Sequence, residues 1–127
     1  MVQRSFSGAP WEKKVGYCRA IRMGHTIAVT GTVAVDDHGR PVSLGDGYGQ
    51  AKRSLEIIEK ALRELGADRG NIIRTRMFVT DISRWEEYGR AHAEFFGAAV
   101  PATSMLEIRA LIGREFLIEI EADAVIS

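Results

Sequence analysis

Three carboxylates alternate along the last apolar segment of the chain. Glu119, Glu121 and Asp123 are each separated by one apolar residue, so a strand would place all three on one face. Like charges at this spacing repel, so the row is either a solvated outer face or a set of partners for cations. Arg74 and Arg76 have the same spacing and would offset the repulsion by ~0.2–1 kcal/mol per pair on a neighbouring strand. A partly buried carboxylate in such a row has a raised pKa and suits general-base chemistry.

Cysteine and histidine give no comparable pattern. Cys18 is the only cysteine, which excludes a disulfide within one chain and a cysteine-based zinc site. Its surroundings in sequence contain no convincing base, so we interpret it as an ordinary buried thiol. The histidines, His25, His38 and His92, are scattered without the spacing of metal ligands, and we predict no metal site.

The composition is that of an ordinary globular protein. The chain has 127 residues, 46% of them hydrophobic, and its 17 Lys+Arg balance its 17 Asp+Glu. This length predicts a single domain over residues 1–127. The charge balance argues against broad binding of nucleic acid, which requires a basic excess. The chain has no apolar run of the ~18–20 residues that span a membrane and no secretory signal, so we expect a cytoplasmic protein without membrane contact.

Two amphipathic helices would position these groups. Asp46 is a candidate N-cap for the first helix, and Gly66 follows its end as a left-handed residue. The second helix begins at Ser83 with the spacing of a capping box and ends at Gly97. Each helix has one apolar stripe, formed by Tyr48, Ala51, Leu55, Ile58, Leu62 and Leu65 in the first and by Trp85, Tyr88, His92, Phe95 and Phe96 in the second.

The remaining segments predict strands in the order β-β-α-β-α-β-β. These segments are Val15 to Ile21, Thr26 to Thr30, Asn71 to Thr80, Thr103 to Ile108 and Phe116 to Ile126. Burial of both helical stripes is most economical if the two helices cover one face of a single mixed sheet, an α+β fold. The other face would carry the acid row with Leu117, Phe78 and Ile72. Such mixed faces are common in subunit interfaces and ligand clefts, so we expect a homo-oligomer.

Seven short motifs in register then resemble the RidA family, also called YjgF/YER057c/UK114. The resemblance extends from about Ser5 to Val125. The motifs are Gly16-Tyr17-Cys18-Arg19-Ala20, Val29-Thr30-Gly31-Thr32, Gln50 at the start of the long helix, Thr75-Arg76-Met77-Phe78-Val79-Thr80-Asp81, Phe95-Phe96, Pro101-Ala102-Thr103-Ser104 and Glu119-Ile120-Glu121-Ala122.

The resemblance implies a chorismate-mutase-like fold and a homotrimer with clefts between its subunits. It also implies hydrolysis of reactive enamines and imines to ketoacids and ammonia, without a metal or cofactor. Glu119 matches the family's glutamate that positions the attacking water. Tyr17, Thr30 and Gly31 match residues that line the substrate cleft. Only the resemblance distinguishes Glu119 from the other two acids of the row.

The sequence departs from the family pattern at Thr103. Deaminating members have an arginine here, which binds the substrate carboxylate through two hydrogen bonds. A charged hydrogen bond contributes roughly 1.5–3 kcal/mol, whereas a threonine hydroxyl is neutral and donates once. Amino-acid-derived imines should therefore bind poorly unless Arg19, Arg109 or Arg114 compensates. We regard Arg19, beside Tyr17, as the best substitute, and we interpret the chain as a RidA-like protein of an arginine-lacking branch.

Three functional hypotheses follow, from different classes. The first, which we favour, is a hydrolase or deaminase in which Glu119 orients water and Thr103, with backbone amides, holds a ligand oxygen. The second is a non-catalytic trimer whose clefts bind a small organic metabolite. A third hypothesis is the endoribonuclease activity attributed to some relatives, and the neutral charge and the lack of a histidine acid/base pair disfavour it.

Overall fold

The computed structural model describes residues 1–127 as a six-stranded sheet and three α-helices. The strands are β1 (Val2–Ser5), β2 (Ala20–Met23), β3 (Thr26–Thr32), β4 (Ile72–Val79), β5 (Ala102–Glu107) and β6 (Ile118–Val125). The helices are α1 (Pro10–Val15), α2 (Gly47–Glu64) and α3 (Trp85–Phe96). No helix is both long enough and apolar enough to cross a lipid bilayer.

All six strands form one mixed sheet in the order β1-β2-β3-β6-β4-β5. β4 and β5 run parallel, and every other neighbouring pair is antiparallel. The buried side chains of α2 and α3 join alternate residues of the strands in one hydrophobic core, so both helices cover the same face of the sheet. The predicted α+β fold is confirmed. We call the opposite face, which carries Glu119, Glu121 and Asp123, the open face.

The N-terminal region differs from the prediction. The segment Val15 to Ile21 is not a strand, because α1 extends to Val15 and β2 begins only at Ala20. Pro10 occupies the first turn of α1, where its missing N–H costs nothing, and Gly16 ends the helix with a left-handed φ of 87°. β1 was not predicted because its four residues show no apolar alternation, although they pair with β2 at the edge of the sheet.

α2 agrees with its predicted caps and is tied to β6 by a buried amide. Asp46 accepts a hydrogen bond from the Gly49 N–H at 2.9 Å, and Gly66 has a left-handed φ of 85°. The fully buried Gln50 donates to the Glu115 carbonyl at 3.0 Å and accepts from the Leu117 N–H at 2.8 Å. These two hydrogen bonds fix the chain just before β6, and therefore help to position Glu119.

The predicted capping box at Ser83 is wrong. Asp81 accepts from the Ser83 N–H at 3.0 Å and from the Ser83 hydroxyl at 2.6 Å, so that hydroxyl cannot cap α3. A single 3₁₀ turn, Ile82–Arg84, follows Asp81, and α3 begins at Trp85 without a side-chain cap. The predicted stripe is buried at Tyr88, His92 and Phe96, whereas Trp85 is exposed.

β4 and β6 are neighbours, so the second alternative for the acid row, partners for cations, applies to Arg76. Arg76 Nη1 lies 3.3 Å from Glu121 and 3.3 Å from Asp123, so one cation bridges two acids of the row. The assignment of Ile72 to the open face is wrong. The register shifts between Ile72 and Arg74, which turns Ile72 into the core and leaves Ile73 exposed.

Candidate functional site

Glu119 lies half-buried on the open face in the middle of the sheet, opposite Phe78 of β4. Its other neighbour is β3, whose register against β6 shifts between Val29 and Thr32. Gly31 lies within this irregular stretch and is in close contact with the Glu119 side chain. A methyl group on Gly31 would come within 2.6 Å of Oε2 and 2.7 Å of Cδ of Glu119. Only glycine leaves room for the carboxylate in this position.

The environment of Glu119 favours its protonated form. Burial is the main cause that raises the pKa of the Glu119 carboxyl, and the negative charge of Glu121 raises it further. The positive charge of Arg19 opposes both effects. A carboxyl with a raised pKa is a stronger base once it is ionised, so it suits proton exchange with a bound molecule.

Arg19 is held beside Gly31. Its Nη2 donates to the Gly31 carbonyl oxygen at 3.1 Å, and its Cζ lies 5.8 Å from the centre of the Tyr17 ring. Its Nε is buried and has no hydrogen-bond partner. Four predicted site residues, Tyr17, Arg19, Gly31 and Glu119, are therefore linked in series on one region of the sheet. We refer to these four residues as the Glu119 cluster.

Thr30 supports this cluster from the backbone side. Its hydroxyl donates to the Cys18 carbonyl oxygen at 2.7 Å, and its N–H donates to the Arg19 carbonyl oxygen at 3.0 Å. The proton of the hydroxyl is thus engaged within the chain. In this arrangement Thr30 fixes the segment that carries Tyr17 and Arg19.

Thr103 lies away from the Glu119 cluster. It is exposed on β5, the edge strand, and pairs with Thr75 of β4 on the face that the helices cover. Thr103 lies on the face that the helices cover, whereas Glu119 lies on the open face, two strands away. The two side chains therefore point to opposite faces of the sheet within one chain. Arg109 and Arg114, the other cations considered as substitutes for the family's arginine, are exposed in the segment between β5 and β6.

Sequence reasoning missed a buried chain of hydrogen bonds that ends at Thr103. The Thr75 hydroxyl donates to Thr103 Oγ1 at 2.6 Å and lies 2.8 Å from Nε2 of His92. His92 is only 9% exposed and packs against the Phe96 ring at 4.6 Å between centroids. Burial lowers the pKa of its imidazole. The position of His92 on the apolar stripe of α3 could have indicated that this histidine is buried. The parallel pairing of Thr75 with Thr103 cannot be predicted from the sequence.

A groove of about 390 Å³ lies elsewhere, between the segment that follows β1, the loop at residues 35–39 and one side of α2. It shares only Arg19 with the Glu119 cluster. Arg53, which lines it, already donates to the Val35 carbonyl at 2.7 Å and lies 3.5 Å from Asp37. No three His, Cys, Asp or Glu side chains come together anywhere in the chain in a way that could hold a metal ion.

Comparison with known proteins identifies the family. The family model described as Endoribonuclease L-PSP matches residues 9–126, and a solved structure from Mycobacterium tuberculosis, described as a member of the YjgF/YER057c/UK114 family, superposes with a TM-score of 0.90. That structure is 43% identical in sequence, over 99% of this chain and 100% of its own. The chain belongs to the RidA family. The expected RidA fold is confirmed, including its chorismate-mutase-like α+β architecture.

Two further RidA relatives illustrate the range of the family. An uncharacterised protein of Streptomyces coelicolor is 32% identical over 123 residues, which is 97% of this chain and 91% of the relative. A mouse protein named 2-iminobutanoate/2-iminopropanoate deaminase is 27% identical over 109 residues, or 86% of this chain and 80% of the relative. The RidA family thus includes proteins named as imine deaminases.

Proposed function

We propose that this chain is a cytoplasmic RidA-family hydrolase that assembles as a homotrimer and converts an imine or enamine to a carbonyl compound and ammonia. The observation that carries the proposal is the half-buried Glu119 carboxyl, which lies against Gly31 and whose pKa is raised by burial and lowered in part by the positive charge of Arg19. This arrangement supplies a half-buried proton acceptor, and activation of water by general-base catalysis requires such a group. The mouse relative named as an iminobutanoate/iminopropanoate deaminase supports the reaction type.

Glu119 is the proposed general base. Its carboxylate accepts a proton from water as the water oxygen bonds to the imine carbon, and the imine nitrogen takes up a proton from the solvent, which gives a carbinolamine. Glu119 then passes its proton to the amine nitrogen as the carbon–nitrogen bond breaks, and the carbinolamine hydroxyl loses its proton to the solvent, so that ammonia and the carbonyl compound are released. The reaction consumes one water and needs neither a metal nor a cofactor. Arg19 stabilises the carboxylate form of Glu119 that starts the cycle.

The trimer would complete the site. Thr103 and Glu119 point to opposite faces of one sheet, so a single chain cannot bring both to one small molecule. A cleft between subunits, as the family resemblance implies, would place the exposed β5 edge of one chain against the Glu119 cluster of the next. There Tyr17 would close over the substrate, and Thr103 would hold a substrate oxygen in place of the family's arginine.

The test is hydrolysis of freshly generated 2-aminoacrylate and of imines that lack a carboxylate, followed by release of ammonia and of the carbonyl product. We expect the uncharged imines to be the better substrates, and Glu119→Gln to abolish turnover. Glu86→Gln is the matched control, because Glu86 is exposed in the first turn of α3. Full activity of Glu119→Gln would rule out the mechanism.

The neutral Thr103 favours a second candidate, a non-catalytic trimer that binds a small organic metabolite. An unreactive carbonyl analogue of the substrate would then bind equally well to the wild-type chain and to Glu119→Gln, and no imine would be turned over. Turnover above the rate in buffer would eliminate this candidate.

A further inference from the structure

The three acids of β6 do not face the same kind of residue on β4. In the antiparallel register each acid has one residue directly opposite, and these pairs are Asp123 with Arg74, Glu121 with Arg76 and Glu119 with Phe78. Side chains that oppose each other on one face of such a pair have Cβ atoms about 4.5–5.5 Å apart. Two acids of the row therefore face an arginine, and the third faces an aromatic ring.

Arg76 compensates the charge of both Glu121 and Asp123. Its Nη1 lies 3.3 Å from a carboxylate oxygen of each acid. The side chains of Arg76, Glu121 and Asp123 are 38%, 35% and 39% exposed, so water screens these contacts less than it would at a fully exposed position. Arg74 is exposed and takes no part in them.

Glu119 has no cation opposite it. Phe78 is half-buried on the same face and offers neither a charge nor a hydrogen-bonding group. On the other side, Gly31 leaves room for the carboxylate without adding a charge. Arg19 acts on Glu119 through its charge, but its Nη2 donates its hydrogen bond to the Gly31 carbonyl oxygen. Glu119 is therefore the one acid of the row without an ion pair.

We infer that β4 leaves Glu119 as the free carboxylate of the acid row, with Arg76 and Phe78 as its positioning residues. Arg76 holds the two other acids in ion pairs. Phe78 occupies the place opposite Glu119 from which a cation would bind it. A carboxylate in an ion pair is a weaker base than a free one, because the cation stabilises its charged form. The inference rests on the proposed function only in calling Glu119 the proton acceptor.

Arg76 acts on Glu119 through Glu121. The negative charge of Glu121 favours the protonated form of Glu119 and raises its pKa, and Arg76 offsets part of that charge. Arg19, in the segment before β2, is the other charged group that acts on Glu119. β3 has no titratable side chain, so no further charge faces Glu119 from that strand. Removal of the Arg76 charge should therefore keep Glu119 protonated to a higher pH.

The ionisation of Glu119 can be measured directly in the intact protein. ¹³C NMR of the glutamate carboxyl carbons follows each group through a pH titration, and Glu119→Gln assigns the signal. Phe78→Arg places a cation opposite Glu119, so the pH at which Glu119 is half-ionised should fall by about 1 unit. In Arg76→Met this midpoint should rise by about 0.2–0.7 unit, and in Arg76→Lys it should return towards the wild-type value.

Ile73→Arg is the matched control for Phe78→Arg. It adds the same charge at an exposed position near the opposite end of β4, and the Glu119 midpoint should not move. Identical midpoints in the wild type, Phe78→Arg and Arg76→Met would overturn the inference. If Phe78→Arg does not fold, Arg76→Met decides alone, because that position is already partly exposed.

Imine hydrolysis distinguishes failure of this inference from failure of the proposed function. In an active enzyme the acidic limb of the rate should move with the Glu119 midpoint in each variant, and Phe78→Arg should reduce kcat several-fold. If no imine is hydrolysed but the midpoints move as expected, the hydrolase is refuted and the role of β4 stands. Hydrolysis that depends on Glu119, with no midpoint moving in any variant, would refute the role of β4 alone.

Discussion

Gly31 and Glu119 are in such close contact that the absence of one side chain determines the position of the other. A Cβ atom on Gly31 would lie 2.6 Å from Oε2 of Glu119. The same glycine accepts a hydrogen bond from Arg19 through its carbonyl oxygen at 3.1 Å. One residue without a side chain therefore places both the carboxylate and the cation of the candidate site.

Gly31→Ala should impair activity more than stability. The methyl group would displace the flexible end of Glu119, and a shift of about 1 Å at a reacting group can reduce the rate roughly 100-fold. The backbone of Gly31 is not left-handed, so we expect a loss of stability below about 1 kcal/mol. Kinetics and thermal unfolding would measure the two effects.

Gly89→Ala is the matched control for this substitution. In α3 the new methyl group would have its nearest neighbour, a Trp85 ring carbon, at 3.9 Å. Replacing a helical glycine by alanine should stabilise the protein by about 0.5–1 kcal/mol and leave the rate unchanged. Equal activity of Gly31→Ala and the wild type would show that the Glu119 position is not important.

The pH dependence of imine hydrolysis should follow the ionisation of Glu119. The general base must be ionised, and burial raises the pKa of this carboxyl, so the rate should fall as pH decreases through a value above the ordinary glutamate range. The same shift means that ionisation of Glu119 costs stability, so Glu119→Gln should unfold at a higher temperature than the wild type at alkaline pH. An acidic limb at the ordinary value would contradict the assignment.

Glu59 and Arg69 form an ion pair with two charged hydrogen bonds, and the loss of this pair should be visible as a pH effect on stability. Arg69 donates to the two carboxylate oxygens of the buried Glu59 at 2.5 and 2.9 Å. These hydrogen bonds are the main cause that lowers the pKa of Glu59. The stabilisation is complete above the ordinary glutamate pKa and is lost as pH falls through the lowered value.

Glu59→Gln should therefore reduce the free energy of unfolding at pH 7 by about 1.5–3 kcal/mol, with a smaller deficit in acid. Chemical denaturation at several pH values would measure the difference. Glu86→Gln should leave unfolding unchanged across the same range. A deficit that is independent of pH would mean that the carboxylate charge does not contribute.

Arg76→Glu should disrupt the open face. Arg76 is the cation that bridges Glu121 and Asp123, and a third carboxylate on adjacent strands would add repulsion where attraction now exists. We expect lower thermal stability and, if the open face is the subunit interface, a mass in sedimentation near the 14.0 kDa of one chain. Lys52→Glu makes the same change of charge on an exposed position of α2 and should alter neither.

Thr103→Arg should create activity towards imines that carry a carboxylate. An arginine at this exposed position would provide the paired hydrogen bonds that the neutral hydroxyl lacks, at roughly 1.5–3 kcal/mol for each charged bond. The readout is the ratio of kcat/KM for 2-aminoacrylate to that for an uncharged imine. Ala93→Arg adds the same charge at an exposed position of α3, and no change in this ratio is expected.

The sequence was sufficient wherever local periodicity determined the structure. The stripe of α2 and its cap at Asp46 follow from spacing along the chain. Spacing also showed that Arg76 could pair with the acid row, but only the strand order settled that it does. The N-terminal region was less predictable, because α1 depends on a proline and a buried Glu12 that accepts from the Ser7 N–H at 3.1 Å. A single shift of register between Ile72 and Arg74 was enough to reverse the face of Ile72.

Only part of the candidate site could be predicted from the spacing of residues along the chain. Glu119 could be selected only by family resemblance, because its two neighbours in the row have the same charge and spacing. The hydrogen-bonded residues His92, Thr75 and Thr103 lie on α3, β4 and β5. A pattern within one segment cannot predict a contact among three segments. The close approach of Gly31 to Glu119 likewise depends on the irregular stretch of β3.

The terminal place of β5 in the sheet has one more consequence. β5 pairs with β4 alone, so the amide and carbonyl groups along its outer side have no partner strand in this chain. Unpaired backbone of this kind is a template for another extended segment, and proteins that leave it bare risk uncontrolled aggregation. Thr103 lies on β5. A segment that covers this edge and prevents aggregation would therefore also control which molecules reach the Thr103 hydroxyl.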